Sequence, residues 1–439
     1  MTQIEAAEVE TPADESEEKS MKQFFVMWSG QAVSLFGSRL VRFAIVWWIT
    51  LQTGSATILA TVSMAFMLPQ IVAGPLAGSY VDRWNRKRVM IAADSLIAFV
   101  TAIFAFLYFA DAIQIWHIYV LMLSASLLSS FHWPAMQAST SMLVPEEHLS
   151  RVGGMNQSLQ GLASILAPPL GALLFALVPM ESILGIDIFT ALIAILTVGA
   201  IHIPQPDRSD EDKAKSPFGD MIEGFRYIRS WTGALMLIVF AMVLNLVTTP
   251  AFSLLPLLAT NHFDGGASTL ALLQSVNAGG MLAGGAILGM WGGSEKKVNT
   301  AMGALVIEGI AVFLIGMSPS NAVLFATALM LVIGLMMPIF NGSMIAILQS
   351  TVPKDKQGRI LSLISSGASA MTPVGLGIAG PVSDLIGVNS WFVIAGFVTA
   401  SLSVAAFFIP AVMNLEERMK QEAGEKEKEE NTKVVEEEV

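Results

Sequence analysis

The chain has 439 residues, of which 54% are apolar and only 13% charged, about half the charged share of roughly 25% usual in soluble domains. So little charge cannot cover a globular surface, so much of its solvent must be lipid, and the absence of cysteine excludes disulfides, thiolate catalysis and Cys-held metals. The net charge of -11 belongs to the ends, since residues 1–22 and 414–439 hold 17 acidic against 7 basic residues and the rest 18 against 17, which leaves no basic field for nucleic acid.

A membrane span needs about 20 mostly apolar residues. In chain order such runs fall at 23–51, 55–78, 88–109, 114–143, 152–178, 182–202, 231–259, 268–291, 299–317, 321–350, 359–384 and 389–413. The polar residues 1–22 lack the apolar run of a signal peptide. With both termini on one side, the tails and same-side connections hold 22 of the 24 Lys and Arg residues, and the opposite loops hold none. Basic residues mark the cytoplasmic side, so both tails are expected there.

The chain also repeats itself. Val144-Pro145 with Arg151 returns as Val352-Pro353 with Arg359, an offset of 208 that also aligns Ser158 with Ser366. A duplicated architecture is the sequence mark of many transporters. The expected organisation is an acidic disordered tail (1–22), a six-helix bundle (23–202), a cytoplasmic linker (203–230), a second bundle (231–413) and a charged disordered tail (414–439). Within the linker, Phe218, Met221, Ile222, Phe225 and Ile228 have the spacing of a helix lying on the membrane surface.

Between the second and third spans runs Gly78-Ser79-Tyr80-Val81-Asp82-Arg83-Trp84-Asn85-Arg86-Lys87-Arg88. A small residue suits the helix contact, the acid a neighbouring helix N-terminus, and the basic cluster anionic headgroups. The stretch resembles the loop signature of the major facilitator superfamily, with Asn85 replacing its second glycine; Asn, like Gly, tolerates a left-handed backbone. Trp28-Ser29-Gly30-Gln31-Ala32-Val33-Ser34-Leu35, Thr53-Gly54-Ser55-Ala56, Phe131-His132-Trp133-Pro134-Ala135 and Leu143-Val144-Pro145-Glu146-Glu147 are similar to the macrolide-efflux branch of its third drug:proton antiporter family. The resemblance covers about 22–413. It implies an all-α membrane protein of the major facilitator fold, with 12 transmembrane helices in two six-helix bundles related by pseudo-two-fold symmetry. It further implies a proton-driven exporter of amphipathic drugs in the cell membrane. The fourth span departs from many drug antiporters in lacking Arg-x-x-Gln-Gly, and the second-half copy of the loop motif, Gly289-Met290-Trp291-Gly292-Gly293, has lost its acid.

An ionisable group at the bilayer centre costs at least about 2.5–3.5 kcal/mol and marks a candidate site. Arg39 and Arg42 share a face of the first span at a depth comparable to Asp187 of the sixth. An Arg42–Asp187 or Arg39–Asp187 contact is therefore expected, either locking helices or handling substrate or proton. Asp94 is expected to join the Asp82 network. Glu308 is central in the ninth span without an obvious partner, which makes it a proton-carrier candidate. His132, beside Trp133 and Pro134, is a further candidate for substrate or proton handling. Gln31, Gln137, Asn156, Gln160, Asn245, Gln274, Asn277 and Asn341 are expected to give a cavity its polar lining.

No G-x-x-x-x-G-K-[ST] and no HExxH occurs, so ATP drive, a metal centre and an enzymatic activity are not expected. The reading is a monomeric secondary transporter without cofactor, working on a small amphipathic substrate with protons and membrane lipids as its other partners. Export of a siderophore or lysophospholipid is the rival reading, and a lipid enzyme or scramblase a remote one.

Overall fold

The computed structural model describes residues 13–81, 83–204, 232–352 and 354–414. Asp82 and the amphipathic linker stretch lie outside the described residues, as do the tails up to 12 and from 415. Twelve long helices follow in order: α1 (Ala13–Thr53), α2 (Ala56–Val81), α3 (Arg86–Phe109), α4 (Ile115–Leu143), α5 (Glu146–Leu177), α6 (Met180–Ala200), α7 (Thr232–Ser253), α8 (Ala267–Trp291), α9 (Lys297–Met317), α10 (Val323–Thr351), α11 (Lys354–Ile386) and α12 (Val388–Phe407). Ten of the described helices are long and apolar enough to cross a membrane alone, and α7 with the turns after it makes an eleventh. The remaining helix, α11, is long enough but carries Ser362, Ser365, Ser366 and Ser369. It packs on α7 and α2, so protein rather than lipid receives much of its surface.

Helices α5 and α11 start at Glu146 and Lys354, before the expected 152 and 359, and three further boundaries differ from expectation. Helix α1 begins at Ala13, ten residues before the expected span and inside the expected disordered tail. Its opening residues are rich in Glu and Lys, which are good helix formers, so the helix continues past its apolar run. The seventh span, expected unbroken over 231–259, bends by 45° after Ser253 and continues as one turn, Leu255–Leu257, and a π-turn, Leu258–His262. Pro256 explains the break: it has no N–H to donate back, and its ring clashes with the preceding turn. The last span likewise ends at Phe407 and resumes as the single turn Pro410–Met413.

The repeat is visible in the helices. Residues 115 and 143, which bound α4, and 323 and 351, which bound α10, are 208 apart at each end (323 less 115, 351 less 143). Helices α5 and α11 start at 146 and 354, and α6 and α12 at 180 and 388, the same offset. Packing repeats as well: α1–α5, α1–α6, α2–α4, α3–α4 and α3–α6 have the counterparts α7–α11, α7–α12, α8–α10, α9–α10 and α9–α12. The main contacts between the halves, α2–α11 and α5–α8, exchange under the same shift. Within the second half, close packing rests on missing side chains. A Cβ on Gly280 would lie 2.6 Å from the Leu331 carbonyl oxygen, and one on Gly284 would collide with that of Leu335, so α8 meets α10 backbone to backbone.

The loops gather at two ends. At one, His262 bonds the Ser318 carbonyl at 2.8 Å and Ser55 donates to Asp384 at 3.0 Å. At the other, Arg86 reaches the Ala138 carbonyl and Lys87 the end of α6; this second end, where α1 starts, is the termini face. The apolar core changes between these ends. Toward the face opposite the termini, one continuous cluster joins Trp47, Leu59 and Ile183 of the first half to Leu257, Leu376 and Phe392 of the second. Toward the termini face there are two separate clusters, one holding Phe24, Met90 and Leu143, the other Met302, Leu305 and Ile347. The halves are thus fused by burial at one end and divided at the other.

Candidate functional site

Where the fused core ends, a cavity of about 520 Å³ lies on the seam, lined from α1, α5, α7, α8 and α10. Both halves contribute, so relative motion of the halves must reshape it. Helix α1 places two cations there because residues three apart share a face. Arg39 donates to Ser164 Oγ at 2.7 Å and to Gln160 Oε1, both on α5. Arg42 is exposed by surface area, yet it stands inside the protein against the cavity. Its guanidinium carbon lies 3.9 Å from the centre of the Phe66 ring, a cation–π contact. Across the seam Asn277 donates to the Met330 carbonyl at 3.1 Å, and Gln274 completes the polar wall. Phe43, Phe252, Met281 and Met330 supply apolar surface.

The expected arginine–Asp187 contact does not form. Asp187 is 5% exposed and accepts a hydrogen bond from Ser38 Oγ at 2.9 Å, and among the described residues it makes no ion pair. Ser38 takes this role because it is on α1 beside Arg39 and turns toward α6, which frees both guanidiniums for the cavity. Asp94 is expected to join an Asp82 network, and Asp82 lies outside the described residues. Asp94 accepts from Gln31 Nε2 at 3.1 Å, and its other oxygen is 3.2 Å from His132 Nε2. That second approach is within ion-pair range but lacks the alignment of a hydrogen bond. Three sequence candidates, Gln31, Asp94 and His132, are therefore one buried cluster across α1, α3 and α4.

The remaining candidates stand apart. Trp133 is 49% exposed and Asn341 is exposed; neither lines the cavity. Asn245 donates to the Ala241 carbonyl of its own helix. Glu308 is 6% exposed on α9, away from the cavity, with no hydrogen bond or ion pair among the described residues.

The loop between α2 and α3 is a set of caps. Asn85 accepts from the Arg88 N–H at 3.0 Å with φ -68°, so it serves as an N-cap and not as a left-handed substitute for glycine. Arg86 donates to the Ala138 carbonyl at 3.0 Å, and Lys87 Nζ to the Gly199 and Ile201 carbonyls, both at 2.7 Å. Lys87 closes the C-terminal end of α6, where the helix dipole favours a cation, while Arg86 ties the loop to α4 more than a turn before that helix ends. Arg83 and Arg88 are exposed and Gly78 is partly exposed.

On the opposite face stands a contact missing from the sequence reading. Asp384 of α11 accepts from Ser55 Oγ (3.0 Å), Ala56 N (2.6 Å) and Thr57 N (3.0 Å). One half thereby caps the N-terminus of α2 in the other. Gly54, at φ +57°, makes the preceding turn tight enough to present those N–H groups.

The matches to known proteins agree with this geometry. The family model described as Major Facilitator Superfamily matches residues 27–376 and 251–436. The chain belongs to the major facilitator superfamily. It is 31% identical over 394 residues to macrolide efflux protein A of Streptococcus pyogenes, covering 90% of this chain and 97% of that one. Multidrug efflux pump Tap of Mycobacterium bovis (strain BCG / Pasteur 1173P2) is 26% identical over 388 residues, 84% of this chain and 89% of its own. Among solved structures, a bacterial homologue of the iron transporter ferroportin in the inward-facing state superposes with a TM-score of 0.68 at 14% identity, covering 88% of this chain and 98% of that one. This member of the superfamily is a multi-pass membrane transporter, and its fold is the all-helical one the sequence implies.

Proposed function

We propose that the protein exports small amphipathic molecules of macrolide type by alternating access, driven by proton antiport. The carrying observation is the core that is fused toward one face and divided toward the other, with the seam cavity between. Such a body is closed on one side and can exchange that closure for one on the other if the two six-helix bundles rock. The drug-export reading is supported by the 31% identity to macrolide efflux protein A. The Lys and Arg distribution supports a cytoplasmic termini face, and a cavity lined by both halves of one chain supports a monomeric transporter.

Proton handling falls to the first half, where Asp94, His132 and Gln31 meet and Asp187 lies against α1. Binding substrate or proton in turn, with each favouring a different state, is sufficient for exchange. One charge crossing about 100 mV supplies about 2.3 kcal/mol, enough for a roughly 50-fold gradient. The test is dye efflux from proteoliposomes at set internal and external pH. Wild-type protein should accumulate dye when a proton gradient is imposed and lose it with an uncoupler. Dye movement indifferent to the gradient would remove proton antiport from the account.

A further inference from the structure

A smaller cavity, of about 230 Å³, lies on the seam at the face opposite the termini, its wall including Gly54 and Ala56 of the first half and His262, Ser383, Asp384 and Asn389 of the second. We infer that it binds a hydrated monovalent cation, which holds the two halves together on that face. The site is separate from the cavity between the bundles, so it stands whatever the transporter carries.

Four residues of the wall have acceptors left over. Asp384 accepts from Ser55 Oγ, Ala56 N and Thr57 N at 2.6–3.0 Å, and a carboxylate offers about four lone-pair sites. Those donors are neutral, and among the described residues Asp384 makes no ion pair, so its charge is not cancelled. Asn389 Nδ2 donates to the Gly316 carbonyl at 3.5 Å, which leaves Oδ1. His262 Nε2 bonds the Ser318 carbonyl at 2.8 Å and must carry the proton, so Nδ1 of the neutral ring is a lone pair. Ser383 carries the deciding observation. It is 5% exposed, and its Oγ is buried without a hydrogen-bond partner, whereas the nearby Ser390 bonds back to the Ile386 carbonyl at 2.7 Å. An unsatisfied buried hydroxyl costs about 1–3 kcal/mol, and a ligand in the cavity that Ser383 lines would relieve it.

The sign of the ligand follows from the surroundings. The loops on this face hold no Lys or Arg, and Asp111 and Asp264 are exposed on it, so the local field draws cations from solution. One carboxylate balances one unit charge; a divalent ion would leave a net positive charge partly sealed from water, which is costly. At about 30 Å³ per water, the cavity has room for the ion and several waters. When the halves part, Gly54 and Ala56 leave the wall, so the ion favours the closed face.

The test uses the full chain in nanodiscs of zwitterionic lipid. Wild-type protein should bind radioactive sodium saturably at a single site, with N-methylglucamine chloride keeping ionic strength and chloride constant. Ser383→Ala, which leaves the bonds from Asp384 to α2 in place, should weaken binding about fivefold, the size of one neutral contact. Asp384→Asn should abolish it. Monodisperse elution of both variants separates lost binding from lost folding. With spin labels at Ala112→Cys and Ser320→Cys, exposed on this face in opposite halves, sodium should multiply the closed-to-open ratio by up to 1 + [Na⁺]/Kd, about elevenfold at ten times Kd. Absence of saturable sodium binding in wild type would overturn the inference, as would unchanged affinity in either variant or a label ratio indifferent to sodium. Magnesium competing at lower concentration than sodium would overturn the monovalent charge. A response that follows chloride would overturn the sign and give the pocket to anions at the first turn of α12.

Discussion

Removing the Asp384 carboxylate is the perturbation whose size the structure fixes best. The group makes three hydrogen bonds across the seam, two of them to backbone N–H groups at the first turn of α2. Asp384 is exposed, so the appropriate scale is that of an ordinary N-cap, about 1 kcal/mol with a range of about 0.5–2. The dipole at the helix start adds a few tenths. Because these bonds join the two halves, their loss weakens the closed opposite face itself. A change of about 1–2 kcal/mol shifts a two-state ratio by about 5–30-fold. The chain has no cysteine, so paired labels can be placed cleanly at Ala112→Cys and Ser320→Cys, exposed loop positions on that face in opposite halves. Spin-label distance distributions should show a long-distance population growing by that factor in Asp384→Ala, and by less in Asp384→Asn, which keeps one acceptor oxygen. An unchanged distribution in both variants would refute the reasoning that this contact holds the face shut.

Four further outcomes follow from the contacts. Asp94→Asn should lower the dependence of dye transport on a proton gradient while leaving dye affinity within about twofold, since its partners are in the buried cluster and not in the cavity. Lys87→Ala should reduce thermal stability by about 1 kcal/mol through two lost carbonyl contacts at the end of α6; no change in melting temperature would mean water replaces the ammonium fully. Gly284→Val should destabilise by about 1–3 kcal/mol or more, because its side chain would meet the α10 backbone, whereas Gly285→Val, which faces open space, should not. Glu308→Gln should preserve gradient-driven transport, since Glu308 stands on α9 away from both the cavity and the first-half cluster. Lost proton dependence in that variant would instead make Glu308 the carrier.

The sequence was informative wherever one segment answers for itself. Apolar run length gave the helices, and the Val144-Pro145 and Val352-Pro353 pair gave a register that the α4 and α10 boundaries reproduce. Depth along a span picked out Arg39, Arg42, Asp94 and Asp187, and of these Arg39 and Arg42 line the cavity. Depth alone does not say which way a side chain turns about its helix, and this is why the arginine–Asp187 contact was wrongly expected. Ser38, a small residue with no special pattern, takes the acid, and the guanidiniums turn into the seam. The cluster of Gln31, Asp94 and His132 spans three helices separated by dozens of residues, and nothing in local spacing joins them. Asp384 had the most ordinary signal: an acid at a span end reads as an interfacial residue, and its role exists only because α11 lies beside the start of α2. Pro256 was visible, but its consequence was missed because apolar continuity over 231–259 masked a break that hydropathy does not register.

A covalent bond across the fused end is the sharpest test of rocking bundles. A Cβ at Gly380 of α11 would lie 2.9 Å from the Cα of Thr57 and 3.1 Å from the Cβ of Ala60 on α2, so the two helices must part by a few tenths of an ångström, which brings the second distance toward the usual disulfide range of about 3.5–4.5 Å. Ala60→Cys with Gly380→Cys, oxidised in proteoliposomes, should therefore clamp the halves together on the face opposite the termini. Each single-cysteine variant fixes the baseline rate. Transport should stop in the oxidised double variant and return to that baseline on reduction with dithiothreitol, with dye binding retained throughout. Undiminished transport through the clamped protein would contradict alternating access at this seam.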